Sequence, residues 1–77
     1  MKSVLQLTND IQDVPRLGEW VEQIGEQLEL PMATVFNLNL ALEEAVVNVM
    51  NYAYPGEVGR PVTLTAQKEE DRVFFTW

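Results

Sequence analysis

Glu44 and Asn48 are the residues of this sequence best suited to chemistry. They lie four residues apart in a segment, 37–54, that otherwise has the pattern of an apolar helix. At about 100° per residue, such a helix places them on one narrow polar stripe. The stripe consists of Asn37, Ala41, Glu44, Asn48 and Asn51. Because burying a carboxylate or carboxamide without a partner is costly, the stripe must face water, other polar side chains or a ligand.

Each of these residues also has an interpretation without chemistry. Glu44 and Asn48 could form a solvated i, i+4 polar pair, as many helical carboxylates and amides do. Asn51 either contacts phosphate or water in a site or caps a carbonyl near the helix end. Glu43 lies about 100° around the helix from Glu44, so it is expected to be solvated or ion-paired, and not a base. Asn37 is expected to be structural.

Composition narrows the classes of function. The 77 residues include no cysteine and no histidine, which excludes disulfides, thiolate nucleophiles, imidazole bases and the usual zinc sites. A chain without cysteine fits the reducing cytoplasm. Twelve acidic and five basic residues give a net charge of −7, which repels phosphate backbones and anionic lipid. No apolar run approaches the roughly 20 residues of a membrane span. We therefore expect no nucleic-acid or membrane partner. A basic protein surface is a plausible partner, although an acidic balance of this kind is more often explained by solubility alone.

The elements that must position the stripe follow from hydrophobic periodicity. The first helix has polar residues along one side and should keep a solvated face, whereas the second is more apolar and should lie inside the domain. The order strand, helix, helix, strand, strand predicts an α+β fold, with two helices packed on one face of a small, mostly antiparallel sheet. All of 1–77 is expected to form one domain. The predicted elements are a strand at 2–7, a helix from a cap at Asp10 or Asp13 to Leu28, a helix at 33–52, and strands at 62–67 and 72–77.

Aromatic residues raise a separate question. Trp20, Tyr52, Tyr54 and Trp77 are expected to be packing groups, although the tyrosines could flank a ligand and Trp77 could mark a protein contact. The sequence stops on Trp77 within a segment predicted to be a buried strand. We therefore expect that the fold is cut short there, or that a partner supplies the rest, with a homo-oligomer as one possibility.

The stripe belongs to a longer string with a family resemblance. Residues 44–54, Glu-Ala-Val-Val-Asn-Val-Met-Asn-Tyr-Ala-Tyr, followed by Pro55-Gly56, resemble the N-box of the GHKL or Bergerat-fold ATPases. The similarity is greatest to the anti-sigma-factor serine/threonine kinases, whose helix carries Glu-Ala-x-x-Asn-Ala-x-x-His-Ala-Tyr. The order of the predicted elements is also that of the family, so the resemblance covers essentially the whole chain as a truncated Bergerat fold.

The resemblance implies roles for individual residues. Glu44 would be the general base, and Asn48 would hold the Mg²⁺ that bridges the ATP phosphates, a role for which one carboxamide oxygen is adequate. Asn51 and Tyr52 would be further nucleotide-binding residues. Tyr52 stands where the family usually has a histidine, which leaves one donor fewer near the phosphates. The partner implied is a regulatory protein, such as a sigma factor or an anti-sigma antagonist.

The glycine boxes of the family are not found in these residues. The D-x-G-x-G motif that reads adenine would follow the strand ending at Trp77, and a glycine-rich lid would follow later. We therefore expect weak or no binding of ATP by these 77 residues alone. The leading hypothesis is part of an ATP-binding domain that transfers γ-phosphate to a partner protein. The alternatives are an ATPase without a protein substrate, and a non-catalytic interaction module that dimerises through its sheet edge.

Overall fold

The computed structural model describes every residue from Met1 to Trp77, and it confirms the predicted α+β fold. Both helices lie on one face of a three-stranded sheet whose pairings are all antiparallel. No helix has the combination of length and hydropathy required to cross a membrane. The elements are β1 (Lys2–Thr8), a 3₁₀ turn (Ile11–Asp13), α1 (Val14–Gln27), α2 (Met32–Tyr52), β2 (Pro61–Glu69) and β3 (Arg72–Thr76).

The sheet has the order β1-β2-β3, and its register places one apolar row against the helices. Leu5 pairs with Leu64, Leu7 with Val62, and Ala66 with Phe75. Because side chains alternate between the faces of a strand, these pairings put the buried residues of β1 and β2 and half-buried Phe75 of β3 on the same side. The free edges of the sheet are those of β1 and β3.

The core lies between this face and the helices. Trp20 from α1 is buried in it, donates its indole N–H to Ser3 Oγ at 2.9 Å, and meets the ring of Phe75 edge-on at 6.0 Å between centroids. The packing role predicted for Trp20 is therefore confirmed. The buried residues are Leu5, Leu7, Leu17, Trp20, Val21, Ile24, Leu42, Val46, Met50, Val62, Leu64 and Ala66.

The start of α1 uses both predicted aspartates, in different ways. Asp10 caps the 3₁₀ turn by accepting a hydrogen bond from Gln12 N at 2.9 Å. Asp13 makes no such cap at the start of α1, and its Oδ2 accepts from both the backbone N–H and the hydroxyl of Thr8 at 2.8 Å. Of the two alternatives, the structure adopts the earlier cap with an irregular turn. Pro15 falls in the first turn of α1, where proline is tolerated.

A close approach between the helices determines how α2 is placed. A Cβ atom added at Gly25 of α1 would lie 2.5 Å from Val35 Cγ2 of α2, so only glycine allows this separation. After α1 the chain reverses in a Schellman motif, with Leu30 N donating to Gly25 O at 2.9 Å and Glu29 N donating to Glu26 O at 3.2 Å. Glu29 takes the left-handed conformation there, with φ of 55°.

The prediction that α2 lies inside the domain is wrong. Only Leu42, Val46 and Met50 are buried, in a row along one side of the helix. α2 packs mainly against α1 and meets the sheet chiefly at β2. Three strands are too few to cover two helices side by side, so part of the apolar surface of α2 stays in solvent.

Candidate functional site

The polar stripe of α2 faces solvent along its whole length. Asn37, Glu44, Asn48 and Asn51 are all exposed, on the side of the helix away from its buried row. The stripe therefore meets the requirement that its carboxylate and carboxamides remain hydrated or face a ligand. Glu44 and Asn48 are one turn apart, about 6 Å along the helix axis.

A hollow next to the stripe contains Asn48. Its volume is about 560 Å³, and it lies between the C-terminal half of α2 and the last residue of the chain. Of the four predicted site residues, Asn48 and Tyr52 line this hollow, whereas Glu44 and Asn51 do not. The lining consists of Ala45, Asn48, Val49, Tyr52, Ala53 and Trp77. We call this space the Asn48 hollow.

Two aromatic residues of the hollow correct the packing predictions. Tyr52 is 78% exposed and Trp77 is 57% exposed, so neither is a core residue. Tyr52 follows Asn48 by one turn and lies on the solvent side of α2 with it. β3 ends at Thr76, which leaves Trp77 beyond the strand and beside the helix. Tyr54 is half-buried, and Arg60 lies over its ring at 5.1 Å from the centroid.

The row of buried residues fixes the rotation of α2 about its axis. Leu42, Val46 and Met50 follow one another at intervals of four residues, and each is at most 7% exposed. Turning the helix to bury Asn48 would expose this row, which costs about 1.5–3 kcal/mol for each large apolar side chain. Hydrophobic packing on one side of α2 therefore holds Asn48 in solvent on the other.

The loop after α2 is tied to the end of β1 by Asn9. Asn9 N donates to Arg60 O at 2.9 Å, its Nδ2 donates to Glu57 O at 2.7 Å, and its Oδ1 accepts from Arg60 N at 3.0 Å. Gly56 and Gly59 in this loop have φ of 76° and 73°, which glycine adopts without strain. They are turn residues. Sequence reasoning missed Asn9, because a lone Asn before a helix gives no sign of a contact about 50 residues away.

The charges around the hollow constrain what it can hold. None of its lining residues is charged, and no group of three or more acidic side chains is arranged to hold a metal ion. A carboxylate with a shifted pKa, that of Asp13, lies at the start of α1. There the hydrogen bonds donated by Thr8 hold the pKa of Asp13 below its ordinary value of 3.8.

The comparison with known families agrees with this fold. The family model described as a histidine kinase-like ATPase domain matches residues 7–76 of the chain. The match includes both helices, β2, β3 and the last two residues of β1. No curated protein and no solved structure gives a significant match. The chain belongs to the histidine kinase-like ATPase domain family. It is an ATP-binding domain of the GHKL type.

Proposed function

We propose that the phosphate end of Mg-ATP binds beside Asn48, and that the domain transfers the γ-phosphate to a serine or threonine of a regulatory partner protein. The observation that supports this most is the exposure of Asn48 at the edge of a 560 Å³ hollow on the helix that resembles the N-box. Family membership makes ATP the expected ligand.

The residues present suit a Mg²⁺ ion that arrives with phosphate. Mg²⁺ prefers six oxygen ligands and usually keeps waters and phosphate oxygens among them, so a site needs only one or two protein ligands. Asn48 offers one carboxamide oxygen, and the absence of a carboxylate cluster means that the protein alone forms no cage. When bound, the ion neutralises phosphate charge, a contribution that matters because no cationic side chain lines the hollow.

Glu44 is proposed as the base. Its exposed carboxylate is one helical turn before Asn48, outside the lining of the hollow, where a nucleophile approaching from solvent can reach it. It would accept the proton of a water or of a partner's hydroxyl group. Asn51, exposed on the next turn after Asn48, and Tyr52, inside the hollow, are proposed as donors to phosphate oxygens.

Trp77 provides an optical test of nucleotide binding. It is exposed and lines the hollow, whereas Trp20 is buried in the core, so Mg-ATP should change the emission of Trp77. Binding by these residues is expected to be weak, since they contain no glycine boxes. We expect Asn48→Ala to weaken binding about tenfold, the value of one interaction with a charged group of about 1.5 kcal/mol.

Asn37→Ala is the matched control, since Asn37 is an exposed asparagine of the same stripe that does not line the hollow. Trp77→Phe should remove the optical response. Equal affinities of the wild-type protein and Asn48→Ala for Mg-ATP would show that the proposed metal role is wrong.

Glu44 is tested separately from binding. Glu44→Gln should leave the affinity for Mg-ATP within about twofold of wild type and abolish any release or transfer of phosphate, whereas Glu43→Gln should change neither. Phosphate transfer to a serine-containing partner, set against release of free phosphate, distinguishes a kinase from a plain ATPase.

A non-catalytic interaction module is the second candidate, and the sheet edges favour it. β3 pairs with β2 on one side only, so its other edge is free. Two exposed aromatic residues lie at this strand, Phe74 within it and Trp77 just after it. Unpaired strand edges invite addition of a strand from another chain. In this case the protein should form a concentration-dependent dimer, measured by light scattering, that Mg-ATP does not affect. A monodisperse monomer at high concentration would contradict it.

A further inference from the structure

A groove between the two helices lies apart from the Asn48 hollow. It has a volume of about 490 Å³ and shares no lining residue with the hollow. Its α1 side carries Glu22, Glu26 and Glu29, and its α2 side carries Met32 and Phe36. We call it the interhelical groove. It is therefore a surface distinct from the proposed nucleotide site.

The α2 side of the groove begins a row of exposed apolar side chains. Met32 is 89% exposed, Phe36 is 64% exposed and Leu40 is 52% exposed, at intervals of four residues. Such a row extends about 12 Å along the helix axis. Scattered exposed apolar residues are ordinary, but a continuous row beside a groove is typical of a binding surface.

The α1 side of the groove carries a charge of one sign. Glu22, Glu26 and Glu29 are all exposed, and the groove lining includes no lysine or arginine. Arg16, the one cationic residue of α1, lies about 160° around the helix from Gly18 of the groove. An apolar row bordered by carboxylates is complementary to apolar side chains bordered by lysine or arginine.

The floor of the groove has an unsatisfied acceptor. Asn39 Oδ1 is buried and receives no hydrogen bond, and it lies 3.8 Å from the position that a Cβ atom of Gly18 would occupy. Buried polar atoms are usually paired, since leaving one unpaired costs about 1–3 kcal/mol. Because this atom is covered, the Asn39 side chain must reorient before an occupant of the groove can donate to it.

We propose that the interhelical groove binds a basic amphipathic helix of a partner protein. Its apolar side chains would pack on Met32 and Phe36, and its lysine or arginine side chains would pair with the glutamates of α1. A helix is favoured over a strand because the groove between two helices offers no backbone groups for pairing, and a helix satisfies its own. A second copy of this chain is disfavoured in this groove, since its 12 acidic and 5 basic residues offer few partners for the glutamates.

Two synthetic peptides of about 20 residues, long enough to form helix, test the proposal. One has leucines along one face and lysines on both flanks, and the other has glutamate at each lysine position. Fluorescence anisotropy with the full chain should show binding of the basic peptide only, with an affinity that falls as salt is raised. Phe36→Ala, and Glu22→Lys with Glu26→Lys, should each weaken binding about tenfold.

The controls match these changes elsewhere on the surface. Phe74→Ala removes an exposed phenylalanine of the sheet, and Glu57→Lys with Glu70→Lys makes the same change of charge outside the groove. Both should bind the basic peptide like the wild type. Far-ultraviolet circular dichroism verifies that every variant folds, as expected for exposed positions.

Three results would overturn the proposal. The first is equal binding of the acidic peptide, and the second is wild-type affinity in Phe36→Ala. The third is a dimer of the wild-type chain in sedimentation that Phe36→Ala abolishes, because a second copy would then occupy the groove.

Discussion

Replacing each of the two glycines of α1 with alanine should have opposite effects on stability. Alanine in a helix interior is favoured over glycine by about 1 kcal/mol. At Gly18 the new Cβ would lie 3.8 Å from Asn39 Oδ1 and 3.9 Å from Asn39 Nδ2, which is ordinary contact. Gly18→Ala should therefore raise the free energy of unfolding by about 1 kcal/mol.

At Gly25 the same change meets Val35. The new Cβ would lie 2.5 Å from Cγ2, and 3.6 Å from both Cβ and Cγ1, of that side chain. Valine is confined to one main rotamer in a helix, so the helices must separate or Val35 must leave its preferred rotamer. Overpacking of this kind costs about 1–3 kcal/mol, which outweighs the gain in helix propensity. Gly25→Ala should therefore lower the free energy of unfolding by about 1 kcal/mol.

Urea unfolding followed by circular dichroism measures both changes, and an unchanged m-value would show that the extent of unfolding is the same. The two variants should differ by about 2 kcal/mol, from the gain at Gly18 and the loss at Gly25. Adding Val35→Ala should lower the free energy of unfolding less in the Gly25→Ala protein than in the wild type, because it removes the clash. If Gly25→Ala proves as stable as Gly18→Ala, the helices do not approach as closely as the structure shows.

Three further predictions concern the ends and the core of the elements. The lowered pKa of Asp13 contributes stability that is present above the pKa of the unfolded chain and is lost as pH falls through the folded-state value. In Asp13→Asn the free energy of unfolding should therefore decrease less than in the wild type as pH falls below about 4, measured by acid titration with circular dichroism. The same decrease in both proteins would contradict the Thr8 contacts. Glu29→Gly should raise the free energy of unfolding in urea by about 1 kcal/mol, since it removes the strain of a left-handed residue, whereas Glu29→Ala should give no such gain. Leu64→Ala, at a fully buried position, should cost about 2–5 kcal/mol and leave little folded protein in a thermal scan, whereas Thr63→Ala on the exposed face should cost under 1 kcal/mol.

Helices, strands and their order were predictable because their periodicities differ. Leu17, Val21 and Ile24 recur at helical spacing, whereas Val62, Leu64 and Ala66 alternate along a strand, and all six are buried as these patterns require. The element ends differ by at most three residues, since the turns at the boundaries depend on contacts such as the cap at Asp10.

The environment of α2 was not predictable in the same way. Its apolar pattern shows that much of its surface is suited to burial, and the row at Leu42 is buried as expected. Whether Phe36 is also covered depends on how many strands and helices surround α2. The sequence of α2 alone does not determine that number. The closeness of α1 to α2 likewise depends on Gly25 meeting Val35, a pairing that follows from the turn between the helices.

The candidate site was predicted in part. The spacing on α2 predicted that Glu44 and Asn48 share one polar stripe facing water, other polar side chains or a ligand, and in the structure both are exposed. Trp77 was not predicted to line a hollow with Asn48, because that contact depends on where β3 ends relative to α2. The same dependence explains why Tyr52, predicted as a packing residue, is exposed.

The central claim is that Asn48 is the protein ligand of the nucleotide-bound metal ion. Substituting Mn²⁺ for Mg²⁺ and recording ¹H–¹⁵N spectra of the side-chain amides during a titration with Mn-ATP tests it directly, since a paramagnetic ion broadens the signals of nearby groups. We predict that the Asn48 side-chain amide broadens first, Asn51 less and Asn37 least. Equal broadening of Asn37 and Asn48, or sharp Asn48 signals at saturating Mn-ATP, would contradict the claim.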